Sequence, residues 1–323
     1  MMVEAGDLDR FRTDLDRLAP GAGIIALAVS GGPDSMALLA LAHAARPDSV
    51  IVATVDHRLR SASGEEAAMV ARYCAALGLP HATLAPEKPI AGASIQALAR
   101  EARYALLADW ARARGARALA TAHHADDQAE TFLMRAARGS GVSGLAGVRP
   151  RAEIAGMPVV RPLLGWRRTE LRQIASRAGA PFVDDPSNQD TRYDRVRFRA
   201  LLADAPALDP AALAQSAAAL AEAEQALSFA VDRLWSERAN GDVTLRLDVG
   251  GLPRELRRRL VRRAIGLVRT HHAIALPPWG DASNVEPLLD SLAAGKRATQ
   301  AGVMLTPRGD MWKIEKAPSR RSL

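Results

Sequence analysis

The clearest chemistry in the chain lies at Ser30-Gly31-Gly32-Pro33-Asp34-Ser35. Gly31 and Gly32 permit a sharp turn and a close approach of backbone N–H groups to a ligand. Ser30 and Ser35 add hydroxyls, and a helix starting here would aim the positive end of its dipole at the same point. Together these residues read as a cradle for phosphate. The segment lacks the Gly-Lys-Ser/Thr of a Walker A loop and the G-x-G-x-x-G spacing of a dinucleotide fingerprint. A carboxylate beside phosphate is unfavourable unless a cation bridges the two, which makes Asp34 the candidate contact for Mg²⁺. The plainer alternative is a strand-to-helix turn capped by Ser or Asp.

A second cluster runs from Thr121 to Thr131 and contains His123-His124 and Asp126-Asp127. On a helix, spacings of four and three put His123, Asp127 and Glu130 on one face. Two carboxylates and an imidazole would suit a cationic substrate, and could assist loss of a proton from an amine. The alternative is acidic residues complementing a helix dipole, which is the better account of Asp126, off that face. Other candidates are Arg103, paired at i, i+3 with Arg100 and able to reach phosphate, and His57 directly after a strand. His57 would contact a nucleotide or make a turn hydrogen bond. Arg195 and Arg199 stack at i, i+4 if their segment is helical, with Arg197 elsewhere, and like charges at that spacing call for an anion such as phosphate.

The elements that must position these residues follow from the hydrophobic pattern. Ile24–Val29 and Val50–Val55 are short continuous apolar runs, as in strands buried on both faces. Further strands are expected near His81–Leu84 and Ala116–Ala122. Helices are expected over Met1–Leu18, Met36–Ala45, Gly64–Leu77, Ser94–Arg114 (with Ser94 as N-cap) and Ala125–Arg138. This alternation over 24–138 predicts an α/β fold with a doubly wound parallel sheet, which binds ligands beyond the carboxyl ends of its strands. The stretch 203–210 reads as a linker. It separates a domain at 1–205 from a smaller, mainly helical C-terminal domain at 206–323. That second domain is expected to hold helices at Ala211–Arg238 and Pro253–Arg269, a small β-hairpin near 299–315, and a disordered tail from Lys316. On Pro253–Arg269 the stripe Leu256, Leu260, Ala264, Leu267 and Val268 is core. Arg254, Arg257, Arg258, Arg262 and Arg263 form either a solvated face or a nucleic-acid contact.

At 323 residues the chain can hold two cores, and its 48% hydrophobic and 24% charged composition is that of a soluble globular protein. The net charge of +7 fits a polyanionic partner such as RNA or DNA, unless it reflects a general preference for Arg and Ala. The single cysteine, Cys74, excludes an internal disulfide and a Cys-x-x-Cys site. No run of eighteen apolar residues suggests a membrane span, and Met1–Pro20 does not read as a secretory signal, so a cytoplasmic location is expected.

Ser-Gly-Gly-x-Asp-Ser after a buried strand resembles the motif of the PP-loop ATP pyrophosphatases, in which ATP is split to AMP and pyrophosphate. Several other blocks resemble the tRNA(Ile)-lysidine synthetases of that superfamily. They are His123–Gly147 with Arg135, Arg138-Gly139-Ser140-Gly141 and Gly144-Leu145; Asp56-His57-x-Leu59-Arg60; Ala99-Arg100-x-x-Arg103-Tyr104; Arg161-Pro162-Leu163-Leu164; and Asp185-Pro186-Ser187-Asn188 through Arg199. The blocks cover about residues 24–202. One departure is that Val196 and Phe198 stand between the arginines where Asn and Ile are usual, which weakens any side-chain role at those two positions. The lone cysteine speaks against the sulfur chemistry of the related tRNA thiolation enzymes.

The resemblance implies adenylation by ATP of the oxygen on C2 of the wobble cytidine in a CAU-anticodon tRNA(Ile), then attack on C2 by the amine of L-lysine with loss of AMP. It implies that Ser30, Gly31, Gly32, Pro33, Asp34 and Ser35, with His57, bind the nucleotide and Mg²⁺. Asp34, His123, Asp127, Glu130 and Arg103 would be catalytic. Asp127 and Glu130 would orient lysine, Arg138, Arg195, Arg197 and Arg199 would contact substrate, and the 139–147 loop would close over the base. Longer relatives carry an additional C-terminal domain, for which this chain reads as too short. A homodimer remains open. Two other classes compete: a two-metal phosphoesterase built on Asp56-His57, His123-His124 and Asp126-Asp127, and a non-catalytic RNA-binding module.

Overall fold

The computed structural model describes residues 3–57, 63–87, 95–184, 194–280 and 283–318. Ser94, Leu59-Arg60, the block at 185–193 and the tail from 319 lie outside them. The chain clusters into two compact units, Met1–Ala221 and Glu222–Leu323, with the division falling inside a long helix.

Unit 1 opens with α1 (Ala5–Leu18), β1 (Ile25–Ala28), α2 (Pro33–Ala45), β2 (Val50–Val55), α3 (Ser63–Ala76), β3 (His81–Leu84), α4 (Ile95–Ala113), β4 (Ala118–Ala120) and α5 (Ala125–Ala136). It continues through α6 (Val142–Leu145), β5 (Arg151–Ile154), β6 (Met157–Val160), α7 (Arg168–Arg177) and α8 (Asp194–Asp204). The six strands form one sheet in the order β3-β2-β1-β4-β6-β5. All neighbours run parallel except β5, an antiparallel edge paired to β6 through Arg151↔Val160 and Ile154↔Met157. This hairpin, α6 and α7 were not expected from the pattern of apolar residues.

The apolar strands are explained by cover on both faces. Ile25 and Leu27 share a core with Phe11 and Leu15 of α1, Leu38 and Leu41 of α2, Val70 of α3 and Ile174 of α7. Ala26, Ile51 and Leu119 instead meet Tyr104, Leu107 and Ala111 of α4. Strands flanked this way have no solvated face and so show no polar alternation.

Three local readings are corrected. Pro33, Asp34 and Ser35 belong to the first turn of α2, not to a loop, because proline at the first helical position loses only an N–H that has no intrahelical partner. His123 is not on the helical face of Asp127 and Glu130. His124 is the N-cap of α5, so His123 lies in extended chain before it. The 139–147 segment is not an open loop either. It contains α6, and Arg135 Nη1 donates to Gly144 O at 2.6 Å while Gln128 exchanges hydrogen bonds with Val148 at 2.7 and 2.8 Å.

In unit 2, α9 (Pro210–Arg238) leads to β7 (Ala239–Asn240), β8 (Leu245–Asp248), α10 (Arg254–His271), α11 (Glu286–Ala293), β9 (Ala298–Gln300), β10 (Val303–Arg308) and β11 (Met311–Lys316). Besides its helices it holds a five-stranded antiparallel sheet in the order β7-β8-β11-β10-β9, of which the expected hairpin is one part. Lys316 ends β11 and is therefore not part of a disordered tail. α10 buries Leu260, Val261, Ala264, Ile265 and Val268, while Leu267 is 46% exposed, so the apolar stripe is rotated from the one read in sequence.

The arginines of α10 are largely engaged inside the unit. Arg254 meets Glu286 at 2.8 Å and Asp290 at 2.6 Å, Arg258 pairs with Glu286 and Glu255, Arg263 pairs with Asp232, and Arg262 Nε donates to Ser283 O at 3.0 Å. Hydrogen bonds from Arg258 and Arg254 pull the Glu286 carboxyl down to about 2.

Candidate active site

The parallel strands deliver their carboxyl ends to one edge of the sheet, and the order reverses between β1 and β4, where a crevice opens in such folds. The residues after β1, β2, β4 and β6 are Ser30–Gly32, Asp56-His57, Thr121–His124 and Arg161. The sequence motifs thus converge because each follows a strand of one parallel set.

Gly31 turns the chain with φ +88°, a conformation that L side chains rarely adopt, and a Cβ there would sit 3.3 Å from Met69. Gly31 O accepts from Val183 N at 3.0 Å. Ser35 Oγ accepts from Ser30 N at 3.1 Å and donates to Gly32 O at 2.9 Å, so this hydroxyl clasps the turn. The N-cap of α2 is Gly32, with no side-chain cap, which leaves the first-turn N–H groups to a ligand. Asp34 stands in that turn with Oδ1 buried and without a hydrogen-bond partner.

Asp34 Oδ2 lies 3.4 Å from His124 Nε2, across the β1/β4 reversal. His124 is 2% exposed. Its backbone N–H donates to Asp127 Oδ2 at 3.2 Å, its Nδ1 accepts from Asp127 N at 3.4 Å, and its Nε2 is 3.6 Å from Asp127 Oδ2. Burial alone would lower the His124 pKa, but the Asp34 hydrogen bond and the charges of Asp127, Asp34 and Asp126 raise it overall. For Asp127 burial opposes the charge, yet His124 and Arg195 hold its carboxyl below the usual range. Sequence reasoning named His124 only as a candidate metal ligand in the phosphoesterase alternative, and missed its place as the cap of α5 facing Asp34. The only signal was its place three residues before Asp127, the spacing of a reciprocal cap.

His123 Nδ1 is 2.9 Å from Thr121 Oγ1. Burial, despite the opposing charge of Asp127, lowers its pKa to about 3, with Arg161, Arg100 and Arg195 adding to the effect. It is therefore a neutral imidazole at neutral pH, a donor or acceptor and not a cation. An unfolded chain takes up this proton below about 6.5 while the folded protein refuses it. Stability should therefore fall as pH drops from about 6.5 toward about 3, at up to about 1.4 kcal/mol per pH unit. Denaturant midpoints of the wild type and His123→Gln between pH 7 and 4 should diverge, the wild type losing more. Parallel curves would contradict the neutral assignment.

The remaining candidates divide. Arg103 has no ion pair among the described residues. Burial lowers its pKa, and it lies close enough to His57 to depress that imidazole further, after burial itself. His57 Nδ1 is buried without a partner. Arg103 and His57 thus present uncommitted polar groups at the β2 end of the crevice. Asp56 instead accepts from Ser63 Oγ at 2.6 Å at the start of α3. Asp126 accepts from Arg168 N at 2.8 Å and contacts Arg167 at 3.3 Å, which joins α5 to α7. Glu130, 1% exposed, takes Arg199 Nε at 2.7 Å and Arg195 Nε at 3.0 Å, so the counter-charge of the two arginines is a carboxylate of the protein. Arg138 and Arg197 both pair with Asp194 and are exposed.

Residues 8–205 match the family described as the PP-loop domain. The tRNA(Ile)-lysidine synthase of Novosphingobium aromaticivorans is 44% identical over 329 residues, covering 98% of this chain and 96% of that protein. The tRNA(Ile)-lysidine synthase of Zymomonas mobilis is 42% identical and covers 94% and 91%. Among solved structures, the U34-tRNA thiolase NcsA of Methanococcus maripaludis, with its [4Fe-4S] cluster, superposes with a TM-score of 0.55. It is 14% identical and covers 66% of this chain and 75% of that one, a likeness of fold alone. Here the one cysteine, Cys74, is buried in the core beside Val70, and burial pushes its thiol up to about 12. With a domain match over more than half its length and these two relatives along nearly all of it, the chain belongs to the PP-loop family of tRNA(Ile)-lysidine synthases.

Proposed function

We propose that the chain is a ligase that uses ATP to adenylate the oxygen on C2 of the wobble cytidine of CAU-anticodon tRNA(Ile), and then joins L-lysine to C2, the oxygen leaving with AMP. Pyrophosphate leaves in the first step. The observation that carries this reading is the juxtaposition at the β1/β4 reversal. An uncapped helix start that suits phosphate lies one imidazole away from a carboxylate that suits an ammonium, through the contacts Asp34–His124 at 3.4 Å and His124–Asp127 at 3.6 Å.

The turn Ser30–Gly32 and the first N–H groups of α2 hold the β- and γ-phosphates, with the turn kept in shape by Ser35. The buried, unpartnered Asp34 Oδ1 would hold a Mg²⁺ ion, a carboxylate oxygen being the donor that this cation takes. No group of three His, Cys, Asp or Glu among the described residues makes a standing metal site, so the ion would arrive with the nucleotide. When bound, Mg²⁺ neutralises charge on the departing pyrophosphate. Arg103 and His57 face the nucleotide from the β2 side. Neutral His123 hydrogen-bonds near the adenylated centre, where the neighbouring arginines balance developing negative charge. Asp127 attracts and orients the lysine amine and takes up its proton as the new bond forms. Residues 206–323 are assigned to tRNA contact, and the enzyme to the cytoplasm. No helix among the described residues is long and apolar enough to cross a membrane.

The phosphoesterase alternative loses two of its carboxylates, because Asp56 is engaged by Ser63, and Asp126 by Arg167 and Arg168. The test is incubation of the full chain with ATP, Mg²⁺, labelled lysine and a CAU-anticodon tRNA(Ile) transcript. Label should enter acid-precipitable RNA with one pyrophosphate released per lysine, and omission of ATP should abolish it. Pyrophosphate release without label in RNA would reject lysine as the nucleophile.

A further inference from the structure

Glu130 is placed to receive an ammonium, yet its charge is already answered. Arg199 Nε donates to Oε1 at 2.7 Å. Arg195 Nε approaches Oε2 to 3.0 Å, and its Nη2 lies 3.8 Å from Asp127 Oδ1. The Arg195 contact is one of charge without a hydrogen bond, since Glu130 Oε2 and Arg195 Nε both remain buried without a hydrogen-bond partner. A buried carboxylate oxygen with an unused acceptor site is costly to leave so, and marks a place where a better donor would be accepted.

Exposure is distributed unequally across these pairs. The Glu130 side chain is 2% exposed, whereas those of Arg195 and Arg199 are 42% and 26% exposed. The guanidinium groups can therefore be met from solvent while the carboxylate cannot. None of the α8 residues is buried, so redirecting these two side chains disturbs no core of that helix. The charges also constrain what can enter. Two guanidinium groups balance Asp127 and Glu130, and an added ammonium would leave a surplus positive charge in a largely dry site unless an anion came with it.

We propose that Arg195 and Arg199 are specificity-determining residues that occupy the amine subsite in the ligand-free enzyme, and that a substrate phosphate draws them off Glu130 and so admits lysine. This rests on the function proposed above. The phosphate comes either from ATP or from the tRNA backbone, and both offer the bidentate oxygens that arginine prefers. The consequence is an order of events, in which the amine gains its full site only after the phosphate-bearing substrate is in place. Premature attack on an empty site is thereby avoided. Because coupling between two ligands is reciprocal, lysine must tighten binding of the same phosphate-bearing substrate by the same factor.

Calorimetric titration of L-lysine into the full chain tests this. Three conditions are compared: protein alone, protein with Mg²⁺ and a non-hydrolysable ATP analogue, and protein with the CAU-anticodon transcript. Lysine should bind about tenfold or more tightly in at least one of the two phosphate-bearing conditions than to protein alone, the scale of one charge-assisted hydrogen bond. The condition that gives the gain identifies the source of the phosphate. Arg199→Met keeps the length of the side chain and removes its charge. Alone, it should bind lysine about tenfold more tightly than the wild type alone, and should lose most of the coupling. Equal wild-type affinity in all three conditions would overturn the proposal. So would weaker lysine binding by a folded Arg199→Met protein, because the arginine would then be holding Glu130 in place. If that variant fails to fold, the wild-type comparison decides. Label entering RNA without coupling rejects only this inference, whereas no label entering RNA rejects the function on which it rests.

Discussion

Asp34→Asn should lower the rate of pyrophosphate release by about 10²- to 10³-fold, the usual scale for losing one preorganised electrostatic contact to a transition state. The substitution leaves the size of the side chain unchanged. The amide retains an oxygen toward His124 Nε2, now 3.4 Å from Asp34 Oδ2, while the buried, unpartnered Oδ1 is replaced or loses its charge. The turn should survive, because it is held by the Ser35 hydroxyl and by Val183 N, neither of which touches the carboxylate. Thermal unfolding should therefore shift by only a few degrees. Pyrophosphate release and lysine transfer should fall together, since the second step consumes the product of the first. A loss below tenfold, with the Mg²⁺ dependence unchanged, would remove Asp34 from the nucleotide chemistry.

Asp127→Asn should separate the two steps. Lysine incorporation is expected to fall by about 10²-fold or more, while tRNA-dependent pyrophosphate release persists, because the site of phosphate binding is left intact. Asparagine can still accept the His124 N–H that Asp127 Oδ2 now takes at 3.2 Å, so the start of α5 keeps a cap whose loss would cost about 1 kcal/mol. What disappears is the negative charge held ready by His124 and Arg195. The KM for lysine should rise and that for ATP should stay within about twofold, read from steady-state kinetics with each substrate varied in turn. An equal loss of pyrophosphate release would place Asp127 in the adenylation step instead. Of the two carboxylates Asp127 is the sharper test, since Glu130 already carries two arginines.

The site was partly legible before any coordinates. Ser30–Ser35 could be read as a phosphate turn because glycine freedom and a following helix start are properties of adjacent residues, and both are present at Gly31 and at the N-terminus of α2. Asp127 and Glu130 could be placed on one helix for the same local reason. The identity of the central histidine could not. His123 and His124 are adjacent and chemically identical, and only the exact start of α5 makes one the cap that faces Asp34 and leaves the other in extended chain on Thr121. Helix boundaries are the least certain part of any pattern, and here one residue decides which imidazole joins the two halves of the site.

The sequence by itself determined the parallel α/β class, the glycine turn after β1 and the acidic start of α5. Each rests on hydrophobic periodicity or on backbone preferences set within a few residues. Only the tertiary structure decided that Glu130 meets Arg199 across 69 positions, that β5 closes the sheet as an antiparallel edge, and that much of the charge of α10 is spent on Glu255, Glu286, Asp290 and Asp232. A charged side chain written in sequence has no assigned partner. It acquires one when packing brings distant segments within a few ångströms and removes the water that would otherwise screen it.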